Sequence, residues 1–396
     1  MLDFLNYKFS DAALVLALTA GAIFVFQVIY YFTVYGTFLS FFRRKNKQSK
    51  KENAVSSLYG DTKGVSVVIV TNNNADALRE CLIQLLEQDY PLFEVVVVNE
   101  NSSDDTEFIL YVLQENYPSL KVINLGQNAN KFESNKFSVA IGIRSAKFDY
   151  VLLTDVSCQP KSYDWLEHMM KPLNENGKIK FVTGICLREK SSGAAGMLEK
   201  HDETTSYINL ISYTLLGNPY TSCGMNMCYD KNFLIKNGCF ISQYSNNCNQ
   251  EDYLVHRYAN RKNTAVVVDN DSFLYLPAYS SFKGFYRCKF ASSLSHKALA
   301  WQDKILLSIF PVLSFLFYIN LILLFIFGFP WQYIAASVVI KWILHMIFYK
   351  KCMGKFYPEK YWIWSPLAEI FFYFFNFAVR IKVLFFRKRQ KKIRWD

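Results

Sequence analysis

The chain has 396 residues, 52% of them hydrophobic and 17% aromatic, and carries a formal net charge of +11. That apolar content is too high for a wholly soluble globular protein, and the length allows one sizeable soluble domain plus several membrane segments. The positive excess is concentrated in Arg43 to Lys51 and Arg387 to Arg394, each directly after an apolar stretch, which reads as membrane topology and anionic-lipid contact, not nucleic-acid binding.

In chain order, the uncharged stretch from Ala12 to Phe42 is long enough to cross a bilayer. It is too long for the core of a signal peptide, and its basic flank follows it, so residues 1–42 are expected to be a first span with Arg43 in the cytoplasm. Residues 43–63 read as a basic, polar linker. Val65 to Val70 (VSVVIV) predicts a buried strand. Ala75 to Gln88 has helical spacing, with Leu78, Leu82, Leu85 and Leu86 on one face. Glu94 to Asn99 predicts a second strand and Asp104 to Asn116 a second helix, with Ser102 and Ser103 available to cap it. Lys121 to Leu125, Lys136 to Ala146 and Tyr150 to Thr154 continue the alternation of strand and helix. That rhythm predicts a doubly wound α/β sheet over residues 64–300, with a ligand crevice at the carboxyl ends of its strands. A hairpin of two further spans is expected over residues 301–350, turning at Pro330-Trp331. Residues 351–396 hold Trp362 to Phe386, interrupted by Glu369, Arg380 and Lys382, which reads as an interfacial helix or a fourth span followed by a basic tail.

The crevice edge is where polar residues gather. The first strand runs into Thr71, Asn72, Asn73 and Asn74, and the second into Asn99 to Thr106 (NENSSDDT). Such loops suit recognition of a base and ribose, although helix capping accounts for many of them. Asp155 ends the fourth strand, where a carboxylate can hold a hard cation that bridges phosphates. A second acidic pair, Glu251-Asp252, opens a later helical stretch that runs through Arg257, where a general base could sit. The nine cysteines show no metal-type spacing and read as reduced packing residues, and the five histidines are scattered. Lys341 lies in the middle of a presumed span and is expected to face another helix. No dinucleotide fingerprint, P-loop or nucleophile elbow is present.

These stretches resemble the family 2 glycosyltransferases of the GT-A fold. The resemblance lies in VSVVIVTNNNADALRECLIQLLEQDYPLFEVVVVNENSSDDT, in FDYVLLTDVSCQP at the position of the family's DxD segment, in PYTSCGMNMCYDKNFLIKNGCF with its Gly-x-Asn, and in QEDYLVHR at its ED motif. With the flanking spans it is similar to the membrane-bound, polysaccharide-synthase-like branch. The resemblance implies that Thr71, Asn73, Asn74, Glu100 and Lys136 contact a nucleotide sugar, together with Asp155. Asp252 would be the catalytic base, with Glu251 beside it, and Gly224 and Asn226 would shape the acceptor side. It implies Mg²⁺ or Mn²⁺ at Asp155, with Ser157 and Gln159 as the remaining donors. Because Ser157 stands where the family has a second acid, that site is expected to be weakened. Asn99 likewise replaces the first acid of the family's DDGS loop, and only Lys289 remains of its QxxRW-type motif. The implied activity is inverting transfer from a nucleotide-diphosphate sugar to a lipid or glycan acceptor. It would take place at the inner, cytoplasmic membrane, in a multi-pass protein whose catalytic domain is cytoplasmic. The alternative is a catalytically inactive relative serving as a subunit of a polysaccharide assembly.

Overall fold

A computed structural model describes residues 11–52, 62–126, 136–189, 193–237, 250–279, 281–295 and 299–393. The chain divides into two compact units, one formed by residues 44–191 and 213–284, the other by residues 1–43, 192–212 and 285–396. Residues 192–212, inside the expected 64–300 block, thus group with the helical flanks.

The helical unit begins with α1 (Asp11–Tyr30), which continues through a π-helical turn at Tyr31–Tyr35 into α2 (Gly36–Glu52). The α/β unit then alternates β1 (Val65–Thr71), α3 (Ala75–Leu86), β2 (Phe93–Asn99), α4 (Thr106–Asn116), β3 (Leu120–Asn124), α5 (Lys136–Ser145) and β4 (Tyr150–Leu153). This is the order and nearly the extent expected from the residue pattern. After it come β5 (Gln159–Pro160), α6 (Trp165–Glu175), β6 (Phe181–Thr183), β7 (Cys186–Arg188), α7 (Gly193–Leu216), β8 (Met227–Asp230), α8 (Lys231–Lys236), α9 (Gln250–Tyr258), β9 (Thr264–Val266) and β10 (Leu274–Leu276). The chain ends with α10 (Phe282–Ser295), α11 (Trp301–Ile326), α12 (Trp331–Met353) and α13 (Ser365–Ile393).

The main sheet has seven strands in the order β3-β2-β1-β4-β8-β6-β9, and a smaller sheet runs β5-β10-β7. β1 pairs in parallel with both β2 and β4, β2 pairs in parallel with β3, and β8 runs antiparallel to β4 and β6. The sheet is therefore mixed. The β-branched runs of β1 and β2 suit strands covered on both faces. Alternate residues point to opposite sides. Val67, Ile69, Val95 and Val97 pack with Leu78, Leu82 and Leu85 of α3. Val68 and Val96 pack on the other side with Ala140 and Ile143 of α5 and Leu254 and Val255 of α9. Leu78, Leu82 and Leu85 are fully buried, each contributing about 1.5–3 kcal/mol relative to an exposed side chain.

In the helical unit, residues 11–45, α11 and α12 are long and apolar enough to cross a membrane. α1 packs on α11 through Ala20, Phe317, Leu321 and Leu324. The turn between α11 and α12 places Gly328 at φ +75°, a left-handed conformation suited to glycine. Lys341 is fully buried in α12, with its Nζ 4.1 Å from the ring of Tyr318 on α11, as its mid-span position led us to expect.

Candidate active site

β1 lies between β2 and β4, and all three run the same way. Their carboxyl ends therefore deliver Thr71 to Asn74, Asn99 to Asp104, and Asp155 to Gln159 to one edge of the sheet. Thr71 stands opposite Asn99 in the β1–β2 register, and the Glu100 N–H donates to the Thr71 carbonyl at 2.9 Å. The Thr71 hydroxyl is buried and has no hydrogen-bond partner among the described residues.

The first two loops are tied to each other. Asn73 and Asn101 adopt φ of 52° and 51°, conformations that asparagine tolerates better than most residues. The Asn73 N–H donates to Ser102 Oγ at 3.0 Å, while Asn73 Oδ1 accepts from the Ser103 N–H at 2.7 Å. The Asn74 amide turns back to the Asn72 carbonyl at 2.8 Å. Asp104 accepts from the Ala75 N–H at 3.0 Å and from the Thr106 N–H at 3.2 Å, at the starts of α3 and α4. Hydrogen bonds, chiefly from Thr106, hold its exposed carboxyl below the usual range. Ser102 and Ser103 are thus turned to Asn99 and Asn73 and do not cap α4, whose first N–H goes to Asp104.

Asn99 is completely buried. Its Nδ2 donates to Asn124 Oδ1 at 3.1 Å, and its Oδ1 accepts from the Ser102 hydroxyl at 2.6 Å. An ionised carboxylate has no proton for the first of these bonds, which gives a structural reason for an amide here. Glu100 accepts a short hydrogen bond from the Ser138 hydroxyl of α5. Nothing in the sequence pattern singled out Ser138 or Asn124. Asp104 had a visible signal, an acid at a helix start.

Asp155 follows β4 and shapes its own turn. Its Oδ1 accepts from the Ser157 N–H at 2.9 Å and from the Ser157 hydroxyl at 2.5 Å, and its carbonyl accepts from the Cys158 N–H. The Gln159 amide donates to Glu80 of α3 at 3.2 Å. No group of three or more His, Cys, Asp or Glu side chains among the described residues could enclose a metal ion. The donor set, one carboxylate with a hydroxyl beside it, still fits a hard cation that takes its other ligands from substrate phosphates and water, as Mg²⁺ commonly does.

Gly224 lies in the turn before β8. Asn226 is fully buried, and its side chain is completely engaged. It donates to the carbonyls of Ile185 at 3.0 Å and Ser272 at 2.9 Å, and accepts from Trp165 Nε1 at 3.2 Å. It can therefore shape this region only through the loops it holds. Glu251 and Asp252 open α9, which Leu254 and Val255 anchor to the α5 face of the sheet. The side chains of Glu251, Asp252 and Lys136 lie outside the described residues. The expected pairing of Asp155 with Asp252 across one cleft falls there too.

Residues 66–240 match the sequence profile of the family described as Glycosyl transferase family 2. Comparison with curated proteins returns no match. Among solved structures, the mannosyltransferase PcManGT from Pyrobaculum calidifontis, in complex with GDP-Man and Mn²⁺, aligns over 93% of this chain and 99% of its own, at 17% identity and a TM-score of 0.53. TarS from S. aureus, in complex with UDP, aligns over 59% of this chain and 65% of its own, at 16% identity and a TM-score of 0.41. Glucosyl-3-phosphoglycerate synthase from Mycobacterium tuberculosis, in complex with Mn²⁺, UDP-Glc and phosphoglyceric acid, aligns over 60% and 79%, at 12% identity and a TM-score of 0.39. The first likeness is one of fold, and it agrees with the mixed sheet and its strand-end edge. The family match thus covers the stretch that holds β1 to β8 and the strand-end edge.

Proposed function

We propose that the protein is an inverting glycosyltransferase that moves a sugar from a nucleotide-diphosphate sugar to a membrane-associated lipid or glycan acceptor. The observation that carries this reading is the convergence of Thr71, Asn73, Glu100 and Asp155 at one edge of the sheet in a family 2 domain. Thr71, Asn73, Asn74, Glu100 and Lys136 would hold the nucleotide sugar. A divalent cation, Mg²⁺ or Mn²⁺, held by Asp155 with Ser157 and Gln159 nearby, would supply positive charge to the diphosphate. Asp252 takes the proton of the acceptor hydroxyl, whose oxygen bonds to the anomeric carbon as the carbon–oxygen bond to the diphosphate breaks. Glu251 accompanies it, and Gly224 and Asn226 shape the acceptor side. The three apolar helices support a multi-pass membrane location with the catalytic domain in the cytoplasm, and α13, with exposed Phe374, Phe377, Leu384 and Phe385, supports an interfacial helix.

A second reading, an inactive relative in a polysaccharide assembly, is favoured by one feature. Asn99 and Ser157, which stand in place of acids, are both committed to hydrogen bonds inside the fold. Native membranes supplied with Mn²⁺ and a panel of radiolabelled UDP- and GDP-sugars separate the two. Donor turnover that Asp252→Asn abolishes supports the enzyme; no turnover with any donor supports the inactive relative.

A further inference from the structure

α12 ends in Lys350 and Lys351, where the chain leaves a helix long and apolar enough to cross a membrane. It returns through a 3₁₀ turn, Tyr361–Trp364, that leads directly into α13. Residues 350–368 hold four lysines, Lys350, Lys351, Lys355 and Lys360, and one acid, Glu359. Lys350, Lys351 and Lys360 are exposed, and none of the three forms an ion pair among the described residues. Ammonium groups clustered without compensation attract a counter-anion.

The cluster is built around Trp362. Lys350 Nζ lies 4.8 Å from the centre of the Trp362 ring. The ring meets one side of the ammonium and leaves its donors to another acceptor. The backbone of the turn is fixed. The Ser365 hydroxyl donates to the Trp362 carbonyl at 2.7 Å, and the Ile363 N–H donates to the Lys360 carbonyl at 3.3 Å. Lys360 thus belongs to the same turn as Trp362. Lys355 is directed elsewhere, to the ring of Phe42 on α2 at 5.6 Å.

An apolar stripe begins in the same turn. Ile363, Trp364 and Leu367 are 48%, 54% and 49% exposed, and Phe371 and Phe374 continue the series at helical spacing. The opposite side of α13 is the packed one, with Ala368, Glu369 and Phe372 buried. The combination selects the occupant. Lysines alone would suit any polyanion, and an exposed apolar stripe alone would suit any apolar partner. A molecule with a negative head and hydrocarbon tails matches both. Tryptophan favours the headgroup level of a bilayer, and each lysine beside a negative lipid surface strengthens attachment about fivefold.

We propose that Lys350, Lys351 and Lys360, with Trp362, hold the headgroup of an anionic phospholipid whose acyl chains lie along Ile363, Trp364 and Leu367. The inference rests on α12 being a membrane span and is independent of sugar transfer, so a chain without donor turnover would still show it. The full chain is purified in a neutral detergent and offered phosphatidylglycerol or phosphatidylcholine with the same acyl chains. Bound lipid is counted by native mass spectrometry. Both lipids carry a phosphodiester, so their difference isolates net negative charge. Phosphatidylglycerol is expected to be retained about tenfold more tightly. The double variant Lys350→Gln/Lys360→Gln is expected to lower its affinity about tenfold or more, and Trp362→Leu about threefold. Lys391→Gln/Lys392→Gln removes the same charge from the basic tail and is expected to leave this site filled. Should the first double variant fail to fold, Lys351→Gln, on the exposed last turn of α12, is expected to weaken binding about fivefold. The proposal is overturned if the two lipids are retained equally, or if the folded lysine variants change nothing. It is also overturned if the tail variant loses as much lipid as the loop variant. Displacement of phosphatidylglycerol by inorganic phosphate or by a polyisoprenyl monophosphate would overturn it too, by assigning the lysines to a free anion or to a lipid monophosphate.

Discussion

Ser157 directs both its N–H and its hydroxyl onto one oxygen of Asp155, at 2.9 and 2.5 Å. Ser157 therefore orients the carboxylate of Asp155. Affinity for a hard cation rises with the number of charged ligands, so adding an acid at this position is informative. Ser157→Asp is expected to lower the Mn²⁺ concentration for half-maximal donor turnover about tenfold, and Ser157→Ala to raise it a few-fold. Manganese titrations of activity, backed by electron paramagnetic resonance of free Mn²⁺, measure both. Equal manganese dependence in all three proteins would remove Asp155 from the cation site.

Asn226 satisfies Trp165, Ile185 and Ser272 at once. Asn226→Ala takes their side-chain partner from the Trp165 indole N–H and the Ser272 carbonyl and leaves the Ile185 carbonyl only the Leu274 N–H, and the expected destabilisation is on the order of 3 kcal/mol. Gly184 sits against the same amide. A Cβ there would come within 2.4 Å of Asn226 Nδ2 and 2.9 Å of Met169 Sδ. Gly184→Ala is expected to cost about 1–3 kcal/mol by overpacking. Because both changes act on one contact, their sum should exceed the effect of the double variant. Chemical denaturation of the four proteins gives the cycle, and strict additivity would show that the two positions do not share this contact.

The first half of the α/β unit was legible because its signals are local. Unbroken β-branched runs specify β1 and β2, and the leucine spacing specifies α3. The crevice edge followed from the alternation itself. What escaped detection depends on distant partners. Ser138 reaches Glu100 only because α5 packs over β1 and β2. Asn99 reads as a lost acid until Asn124 is seen beside it. The histidines read as scattered, yet folding stacks His201 near His345. The second half of the α/β unit has strands as short as two or three residues, too brief for a period to register.

Stability should carry a pH signature from His168. Its Nδ1 lies 3.7 Å from Asp269 Oδ2 and its Nε2 3.9 Å from Asp271 Oδ2, and Lys45 Nζ lies 3.9 Å from the same Asp269 oxygen. The Asp269 carboxylate beside it, reinforced by the neighbouring carboxylates, holds His168 above its ordinary value of 6.5. The same contact holds Asp269 below 3.8. The histidine contribution is complete below 6.5 and is lost as pH rises through the higher folded value; that of Asp269 is complete above 3.8 and is lost as pH falls through the lower one. The difference in Tm between the native protein and His168→Gln is therefore expected to be largest between pH ~4 and ~6.5 and to shrink on either side. A difference that does not vary with pH would sink this assignment.

α5 is held close to the sheet by the lack of a side chain at Gly142. A Cβ there would lie 2.5 Å from Val68 Cγ1 and 3.1 Å from Val98 Cγ2. Neither valine can withdraw, because both are packed inside the sheet and a branched side chain has few rotamers. Gly142→Ala must instead lift α5, and with it Ser138, away from Glu100. The expected cost is about 1–3 kcal/mol of stability, together with weaker donor binding. Val68→Ala opens the space that the new methyl group needs. Combining the two should restore donor binding toward the native level, even though Val68→Ala alone removes core volume. Equilibrium binding of UDP- and GDP-sugars to the two single variants and the double variant reads this directly. If Gly142→Ala weakens binding and Val68→Ala gives no relief, the spacing between α5 and β1 is not what positions Glu100.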